Sequence, residues 1–340
     1  MEGHDLPEPY PLLFEPVLKD YIWGGRNLSR RLGRSLPVDK EIAESWEIAA
    51  HANGDVRVAN GKLAGKLLSE INRDYGRALV GSRGAWATDR RQFPLLIKLL
   101  DANRRLSVQV HPDDAYARAH ENNELGKTEM WVVLHAEEGA SIILGVNQHT
   151  TPASFRQALE EGRLEQHLHE IPVRTGDFVC VPSGSLHAIL DGLLIAEIQQ
   201  SSDVTYRVYD WNRPGHDGKP RPLHIDKALE VINFDQREPA LPAARPLSGN
   251  IDGTKRWQLC RNRYFAVERV EMAPGATYHD VCDGDSLEIW GVVEGHVIIQ
   301  GGSEQVKLET VRFTLLPARL GRYTIRAGED AVQLLRAYLQ

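Results

Sequence analysis

Apolar residues recur along this chain with two different spacings, one typical of helices and one typical of short strands. From Leu63 to Val80 they lie at helical spacing with polar residues between them, which predicts an amphipathic helix. A second helix is predicted after Thr151, because this N-cap residue is followed by proline at the first helical position and, ten residues beyond that proline, by Gly162. Most of the rest of the chain lacks this helical spacing and has the shorter apolar runs that are typical of strands.

From about Ile171 the pattern changes to short apolar runs that Gly, Pro and Asp interrupt, such as FVCVPSG, LLIAEIQQ and VTYRVYDW. Runs of this length indicate the strands of a β sandwich or barrel. The segment from Arg237 to Gly249 is rich in Pro and Ala without periodicity, which predicts a linker. Strand-like runs such as YFAVERVEM and AVQLLRAYL follow it. We therefore predict a larger domain with helical insertions over residues 1–240 and a smaller β domain over residues 250–340.

The segment SVQVHPDD, residues 107–114, follows the apolar run from Phe93 to Leu100. Side chains two apart in a strand share a face, so Ser107, Gln109 and His111 are expected to point the same way. This pattern alone is weak evidence for a site. It leaves open a metal half-site and a strand end that carries structural polar residues.

Composition and charge exclude several functional classes. The net charge of −7 argues against a broad surface for nucleic acid or anionic membrane, so an anionic substrate requires a local basic pocket. The three cysteines, Cys180, Cys260 and Cys282, are widely spaced without CxxC pairing, a pattern typical of a reducing compartment. No apolar run reaches the length of a membrane span, and the N-terminus has no apolar signal region. We expect a cytoplasmic protein.

The segment GDFVCVPSGSLH, residues 176–187, contains Gly, five residues, Pro, one residue, Gly, two residues and His. With 29 Gly, 18 Pro and 13 His in 340 residues, chance would produce this spacing about 0.005 times, so coincidence is a poor explanation. The spacing resembles the second metal motif of the cupins, which are double-stranded jelly-roll barrels in which this histidine is a ligand. Asp191 departs from the asparagine that the family often has.

The first cupin motif would place Gln109, His111 and Glu129 in the ligand positions, with 17 residues between His111 and Glu129. The glutamine, the insertion and the phrase GKTEMW together resemble the type I mannose-6-phosphate isomerases. Further matches are YIWGG, ESWEIAAH, LIKLLDANRRLSVQVHPDD and EIQQSSDVTYRVYDWNR, which span most of the first 215 residues. The resemblance implies a mainly β fold, with a cupin jelly-roll barrel carrying helical insertions and a smaller, non-catalytic C-terminal jelly roll.

The resemblance also implies a chemistry, the metal-dependent interconversion of mannose 6-phosphate and fructose 6-phosphate through an enediol. The expected metal ligands are Gln109, His111, Glu129 and His187, and they suit one Zn²⁺ per chain while tolerating other divalent metals. Gln109 keeps a second interpretation, a residue that hydrogen-bonds the ligands. We expect a sugar phosphate as the bound small molecule, no nucleic-acid or membrane partner, and a monomer or homodimer.

The catalytic candidates are a carboxylate, an arginine and a lysine. Glu197 is the candidate for moving the proton, and its alternative is a buried partner of Arg207. Arg207 suits an oxyanion or phosphate through its fixed fork, with an ion pair to Asp203 or Asp210 as its alternative. Lys127 lies two residues from Glu129 and is expected to face the pocket and hold the phosphate. Ser107 and Lys98 complete the expected substrate contacts.

Two other functions use the same ligands. A cupin oxygenase would bind iron and dioxygen but gives no reason for Lys127 and Arg207 near the metal. A sugar-phosphate sensor would bind without turnover, so Glu197 would be dispensable for affinity. Turnover without oxygen separates the isomerase from both alternatives.

Overall fold

The computed structural model describes residues 7–215, 217–248 and 253–340 of the chain. Strands account for most of the regular structure, so the predicted mainly β fold with helical insertions is confirmed. Among the described residues, no helix is both long enough and apolar enough to cross a membrane. The described chain divides into two units, a first of Met1–Val17, Trp46–Ile97 and Ala243–Gln340, and a second of Leu18–Ser45 and Lys98–Pro242. Residues 250–252, where the predicted second domain begins, lie outside the described ranges.

The strands follow one another in short segments along the chain. In order they are β1 Phe14–Glu15, β2 Val17–Lys19, β3 Glu44–Ile48, β4 Ala50–His51, β5 Gly54–Asp55, β6 Arg57–Val58, β7 Leu95–Ala102, β8 Val108–Val110, β9 Glu129–Ala136, β10 Ser141–Val146, β11 Leu168–Pro172, β12 Phe178–Val181, β13 His187–Ile189, β14 Leu193–Gln200, β15 Tyr206–Tyr209, β16 Arg245–Pro246, β17 Thr254–Arg261, β18 Phe265–Met272, β19 Thr277–Cys282, β20 Glu288–Glu294, β21 His296–Gly301, β22 Glu304–Glu309, β23 Phe313–Leu316, β24 Gly321–Ala327 and β25 Val332–Leu339.

The helices are short and lie between the strands. They are α1 Asn27–Arg30, α2 Leu68–Tyr75, α3 Arg77–Val80, α4 Ala85–Thr88, α5 Asp114–His120, α6 Pro152–Glu160 and α7 Ile225–Val231, with 3-10 turns at Gly61–Leu63, Ser82–Gly84 and Leu164–His167. The prediction of α6 is confirmed, because Thr151 caps it by accepting a hydrogen bond from the Ser154 N–H.

The prediction of a single helix from Leu63 to Val80 is wrong. The segment forms the end of a 3-10 turn and the two helices α2 and α3, because Gly65 and Gly76 adopt positive φ values of +85° and +49° that interrupt helical hydrogen bonding. The apolar spacing continues across the break, so periodicity alone does not reveal it.

Residues of the second unit form most of a two-sheet jelly roll of the cupin type. One sheet has five strands in the order β11-β10-β13-β8-β15, and the other has six in the order β12-β9-β14-β7-β3-β2. Apolar side chains from both sheets, including Trp131, Ile142 and Ile195, form one core between them. The outer face of the five-stranded sheet packs on α6 and α7 through Phe155 and Ala228. Burial on both faces makes the five-stranded sheet a rigid support for polar side chains.

The first unit has its own pair of sheets. A six-stranded sheet in the order β16-β17-β18-β25-β20-β23 and a four-stranded sheet in the order β19-β24-β21-β22 enclose a core that includes Trp290, Val297 and Ile325. The segment predicted as a linker contributes β16, a two-residue edge strand, and its last residue, Gly249, lies outside the described ranges.

The cysteines differ from the pattern expected for a reducing compartment. Cys180 and Cys260 are disulfide-bonded, and Cys282 is a free, buried thiol. Sequence spacing gave no sign of disulfide bonding, because a disulfide depends on distances in the fold rather than along the chain.

Candidate metal centre and active site

Gln109 lies at the centre of a row of polar residues across three neighbouring strands. It is on β8, where His187 of β13 is its register partner on one side and Arg207 of β15 is its partner on the other. Directly paired residues in adjacent strands point to the same face of a sheet, so the three side chains lie side by side. His111 follows one residue after β8 ends. The predicted common face of this segment is therefore observed.

Glu129 comes from the other sheet. It is the first residue of β9, between Val181 of β12 and Gln199 of β14, and its side chain is buried. The two sheets thus supply different ligand types, imidazole and amide groups from one and a carboxylate from the other.

His111, Glu129 and His187 form a candidate metal site. One ligand atom from each lies within 4.8 Å of the others, and the structure holds all three side chains away from solvent. Nε2 of His187 is 3.3 Å from Glu129 Oε1, and Nε2 of His111 is 3.5 Å from Glu129 Oε2. Oε2 of Glu129 accepts no hydrogen bond from the described residues. The Lys127 amine lies 3.1 Å from this oxygen, so the buried carboxylate faces both imidazoles and one cation.

The second nitrogen of each histidine ring fixes the orientation of the ring. Nδ1 of His111 donates to the carbonyl of Val204 at 2.8 Å, and Nδ1 of His187 donates to the carbonyl of Ser185 at 2.9 Å. This tautomer leaves the Nε2 lone pair of both rings facing Glu129. Backbone carbonyls in this position are typical of histidines that bind metals.

Both histidines are held neutral, as metal ligands require. Burial lowers the pKa of His187 to about 4. Burial also lowers the pKa of His111 well below its usual value, and the charge of Lys127 lowers it further. The donor set, two imidazole nitrogens with a carboxylate, therefore fits a divalent metal such as zinc.

Gln109 borders this set. Its amide nitrogen is 3.3 Å from Nε2 of His187, and its amide oxygen accepts a hydrogen bond from Ser107 at 3.3 Å. Rotating the amide by 180° would exchange nitrogen and oxygen, so the same position would present an oxygen to the centre. Both interpretations of Gln109, ligand and hydrogen-bonding neighbour of the ligands, place it beside His187.

Lysines and carboxylates alternate next to the metal centre. Nζ of Lys127 is 3.1 Å from Glu129 Oε2 and 3.2 Å from Nε2 of His111. Nζ of Lys98 is 3.5 Å from Glu44 Oε2, and both amines are 3.9 Å from Glu197 Oε1. Burial by itself lowers the pKa of Lys98, but Glu44 and Glu197 outweigh it and the pKa is raised. Lys98 therefore stays charged.

Glu197 is almost completely buried on β14, where it is the register partner of Trp131. Its Oε1 accepts no hydrogen bond from the described residues. Burial and then the neighbouring charge of Glu129 raise the pKa of Glu197. A carboxyl at a cavity wall with a raised pKa and an oxygen that accepts no hydrogen bond has the properties of a proton carrier. The alternative of a direct ion pair with Arg207 is wrong, because the cations near Glu197 are Lys98 and Lys127.

Arg207 lies at another part of the same cavity. Its Nη1 donates to the carbonyl of Pro222 at 3.0 Å, and its backbone N–H donates to Nδ1 of His224 at 3.1 Å. Its Nε has no hydrogen-bond partner among the described residues. The carboxylate of Asp210 is bound by Arg213 and Arg221. Asp210 thus pairs with those two arginines, while Arg207 donates its hydrogen bonds to Pro222 and His224 instead.

Gln109, Glu129, Glu197 and Arg207 line one cavity of about 290 Å³ whose lining residues all belong to the second unit, whereas His111 and His187 are not among those lining residues. Its lining residues are Tyr21, Trp23, Glu44, Lys98, Leu100, Leu106, Ser107, Gln109, Lys127, Glu129, Trp131, Ile189, Glu197, Asp203, Thr205, Arg207 and Arg221. The volume suits a six-carbon sugar phosphate better than a larger ligand. Every substrate-binding and catalytic residue predicted from the sequence lines it.

Sequence reasoning missed several polar lining residues. Glu44, Asp203 and Arg221 come from three separate segments, and no motif spacing links them to the ligands. Glu44 is the first residue of ESWEIAAH, a segment that matches the family, so this match could have identified Glu44 as a candidate site residue. Arg221 stands in no such phrase, so only the fold brings it to the cavity.

Comparisons with known proteins agree with this geometry. The model of the family "phosphomannose isomerase type I, catalytic domain" matches residues 12–141. The chain is 39% identical over 316 residues to GmuF of Bacillus subtilis, described as a probable mannose-6-phosphate isomerase, covering 93% of this chain and 96% of that protein. It is 43% identical over 239 residues to the mannose-6-phosphate isomerase of Streptococcus mutans, covering 70% of this chain and 73% of that protein.

A solved structure extends the similarity to the fold. The crystal structure of the mannose 6-phosphate isomerase from Bacillus subtilis superimposes with a TM-score of 0.84 at 34% identity, covering 96% of this chain and 99% of that chain. Identity at this level over nearly the whole length shows that the two chains share the fold and the family. The protein belongs to the type I phosphomannose isomerases.

Proposed function

We propose that this protein interconverts mannose 6-phosphate and fructose 6-phosphate. The observation that carries the proposal is the cluster of His111, Glu129 and His187 beside a cavity that is lined by Glu129 and by Glu197, whose Oε1 accepts no hydrogen bond from the described residues. Membership of the family supports the isomerase over an oxygenase or a sensor with the same ligands. Lys127 and Arg207 lie in the cavity wall, where an isomerase of sugar phosphates would use their positive charges to bind its anionic substrate. An oxygenase would give no reason for these two cations.

We infer that His111, Glu129, His187 and Gln109 bind one Zn²⁺ per chain. Support comes from the two neutral imidazoles, the carboxylate oxygen without a hydrogen bond and the amide beside His187. Such mixed nitrogen and oxygen sets suit zinc and accommodate other divalent metals. When bound, the metal supplies Lewis acidity, which polarises the sugar oxygens near C1 and C2.

Aldose–ketose isomerisation moves one proton between C2 and C1 of the sugar. Glu197 is our candidate for the group that removes and returns this proton, because its Oε1 accepts no hydrogen bond from the described residues and burial and Glu129 disfavour its charged form. Taking the proton neutralises this carboxyl, which relieves its repulsion with Glu129.

The cations bind and stabilise charge that develops on the substrate. Lys98 and Lys127 lie beside Glu197, so they are placed to hold the sugar hydroxyls and to stabilise negative charge on the enediol oxygens. The Ser107 hydroxyl, next to Gln109, is a further contact for the substrate. Arg207 offers its fork to the phosphate or to an oxyanion.

The remaining expectations concern organisation and context. We propose that residues 1–240 form the catalytic domain and residues 250–340 a non-catalytic one, since the cavity lining lies between Tyr21 and Arg221. We also propose a monomer or homodimer without nucleic-acid or membrane partners. A cytoplasmic location fits a doubly charged sugar phosphate, which does not cross a bilayer unaided. The disulfide-bonded cysteines give this location no support.

The test is turnover followed by NMR under strict exclusion of oxygen. Purified enzyme with added Zn²⁺ is incubated with mannose 6-phosphate, and resonances of fructose 6-phosphate are expected to grow to an equilibrium mixture. The same mixture should form from fructose 6-phosphate. Binding of the sugar phosphate without any conversion would support the sensor, and consumption only when oxygen is admitted would support the oxygenase.

A further inference from the structure

The charged residues of the cavity fall into two groups of opposite net charge. Around the metal centre, Lys98 and Lys127 lie among more acidic groups than they can neutralise, namely Glu44, Glu129, Glu197 and Asp203. With four carboxylates ionised, four negative and two positive charges leave a net charge of about −2, which a divalent metal compensates. Both lysines are thus committed to the metal end of the cavity.

The opposite excess lies at Arg207. Three arginines, Arg207, Arg213 and Arg221, surround the single carboxylate of Asp210. Three positive charges and one negative charge leave a net charge of about +2. Arg207 and Arg221 line the same cavity, and burial and then the charge of Arg221 lower the pKa of Arg207. Such a cluster is unfavourable unless an anion joins it.

Arg221 is held rigidly in this cluster. Its Nε donates to Asp210 Oδ2 at 2.7 Å and its Nη2 donates to Asp210 Oδ1 at 2.6 Å, a bidentate pair that fixes the plane of the guanidinium. Asp210 is buried, and Arg213 binds its Oδ1 at 2.9 Å. The pair uses two of the five N–H donors of Arg221, which leaves donors for a ligand on its cavity side.

The same short segment also orients Arg207. The carbonyl of Pro222, the residue after Arg221, accepts the hydrogen bond from Nη1 of Arg207. One segment therefore presents Arg221 and positions Arg207, and both side chains line the cavity. Two guanidinium groups fixed in this way are preorganised for an anion with several oxygens.

We propose that Arg221 and Arg207 together bind the phosphate of the substrate, and that Asp210 is the positioning residue that orients Arg221. This deepens the proposed function, on which it rests for the identity of the substrate. A phosphate monoester at neutral pH carries close to two negative charges, which matches the excess at the arginine end. The sugar then extends from Arg221 toward Glu197 and the metal ligands. Lys127 contacts the reacting part of the sugar and not the phosphate.

Inorganic phosphate is the probe that tests the arginine end without relying on turnover. Its dissociation constant is measured calorimetrically with metal-loaded wild type, Arg221→Ala, Arg221→Lys and Asp210→Asn. Loss of a charge-assisted contact is expected to weaken phosphate about 10- to 100-fold in Arg221→Ala. Arg221→Lys keeps the charge without the fork and should fall between this variant and wild type. Arg174→Ala is the matched control, because it removes a surface arginine that is 89% exposed and should change the constant less than about twofold.

Asp210→Asn separates positioning from general support of the fold. It should weaken phosphate and raise KM for mannose 6-phosphate, with a smaller change in kcat and unchanged metal content. Rescue of affinity by Asp210→Glu would support the positioning role. A fall in kcat and metal content with unchanged phosphate affinity would overturn it.

Two outcomes distinguish this inference from the function itself. If wild type isomerises mannose 6-phosphate while Arg221→Ala and Arg221→Lys bind phosphate as wild type does, the inference is wrong and the function stands. If phosphate binding depends on Arg221 but wild type converts no sugar phosphate, the function is wrong and the anion site stands.

Discussion

Gln109 and His187 lie directly opposite each other on β8 and β13, with the Gln109 amide nitrogen 3.3 Å from Nε2 of His187. This pairing links two segments 78 residues apart and brings the two motifs read from the sequence to one point. Glu129 reaches that point from the facing sheet. The centre therefore depends on both sheets, and disruption of either ligand group is expected to affect the whole site.

Replacing His187 or Glu129 by alanine should lower bound metal and activity together. Each change removes one ligand from a set of four, which commonly weakens metal binding strongly, and Glu129→Ala also removes the carboxylate charge. Metal content is measured by elemental analysis of purified variants and compared with kcat/KM. His135→Ala is a control, since this histidine lies on β9 but is not one of the proposed ligands. Full metal content with wild-type turnover in both ligand variants would contradict the site.

Glu197→Gln should lower kcat about 10²- to 10⁴-fold, the usual cost of losing a general base. The substitution keeps the shape and hydrogen-bonding capacity of the side chain, so metal content and substrate affinity should change little. Exchange of solvent deuterium into C2 of the sugar phosphate measures proton transfer directly. If the variant still exchanges at the wild-type rate, another group moves the proton.

Arg207→Lys should lower kcat/KM while leaving the acidic limb of the pH profile unchanged. Lysine keeps the positive charge but not the planar fork, and neither side chain titrates in the acidic range. Steady-state kinetics across pH check this expectation. An acidic limb that moves with the substitution would assign Arg207 a part in proton transfer.

His224 should make stability depend on pH. Burial and then the charges of Arg207 and Lys227 lower its pKa, and its neutral Nδ1 accepts the backbone N–H of Arg207. Below about pH 6.5 the unfolded chain binds a proton that the folded chain disfavours, so the free energy of unfolding falls as the pH falls. His224→Asn retains an acceptor that does not titrate. Denaturant unfolding between neutral and mildly acidic pH should show a smaller loss for the variant than for wild type, whereas equal losses would exclude His224 as a source.

The strand pattern and motif spacing predicted the parts of the site that depend on local geometry. Ser107, Gln109 and His111 share a face because strand side chains alternate, and the spacing from Gly176 to His187 identified a candidate ligand from the sequence alone. Glu44, Asp203 and Arg221 were not predicted, since their approach to the ligands depends on strand order and on a long loop after β15. The break at Gly76 and the disulfide-bonded cysteines likewise depend on tertiary structure.

The most direct test of a metal-dependent isomerase is a coupled assay of mannose 6-phosphate conversion before and after metal removal. Enzyme is treated with a chelator, the chelator is removed, and Zn²⁺ or another divalent ion is added back in stoichiometric amounts. We expect activity to disappear with the metal and to return at about one ion per chain, because His111, Glu129 and His187 form a single site. Full activity in protein shown by elemental analysis to contain no metal would contradict the account.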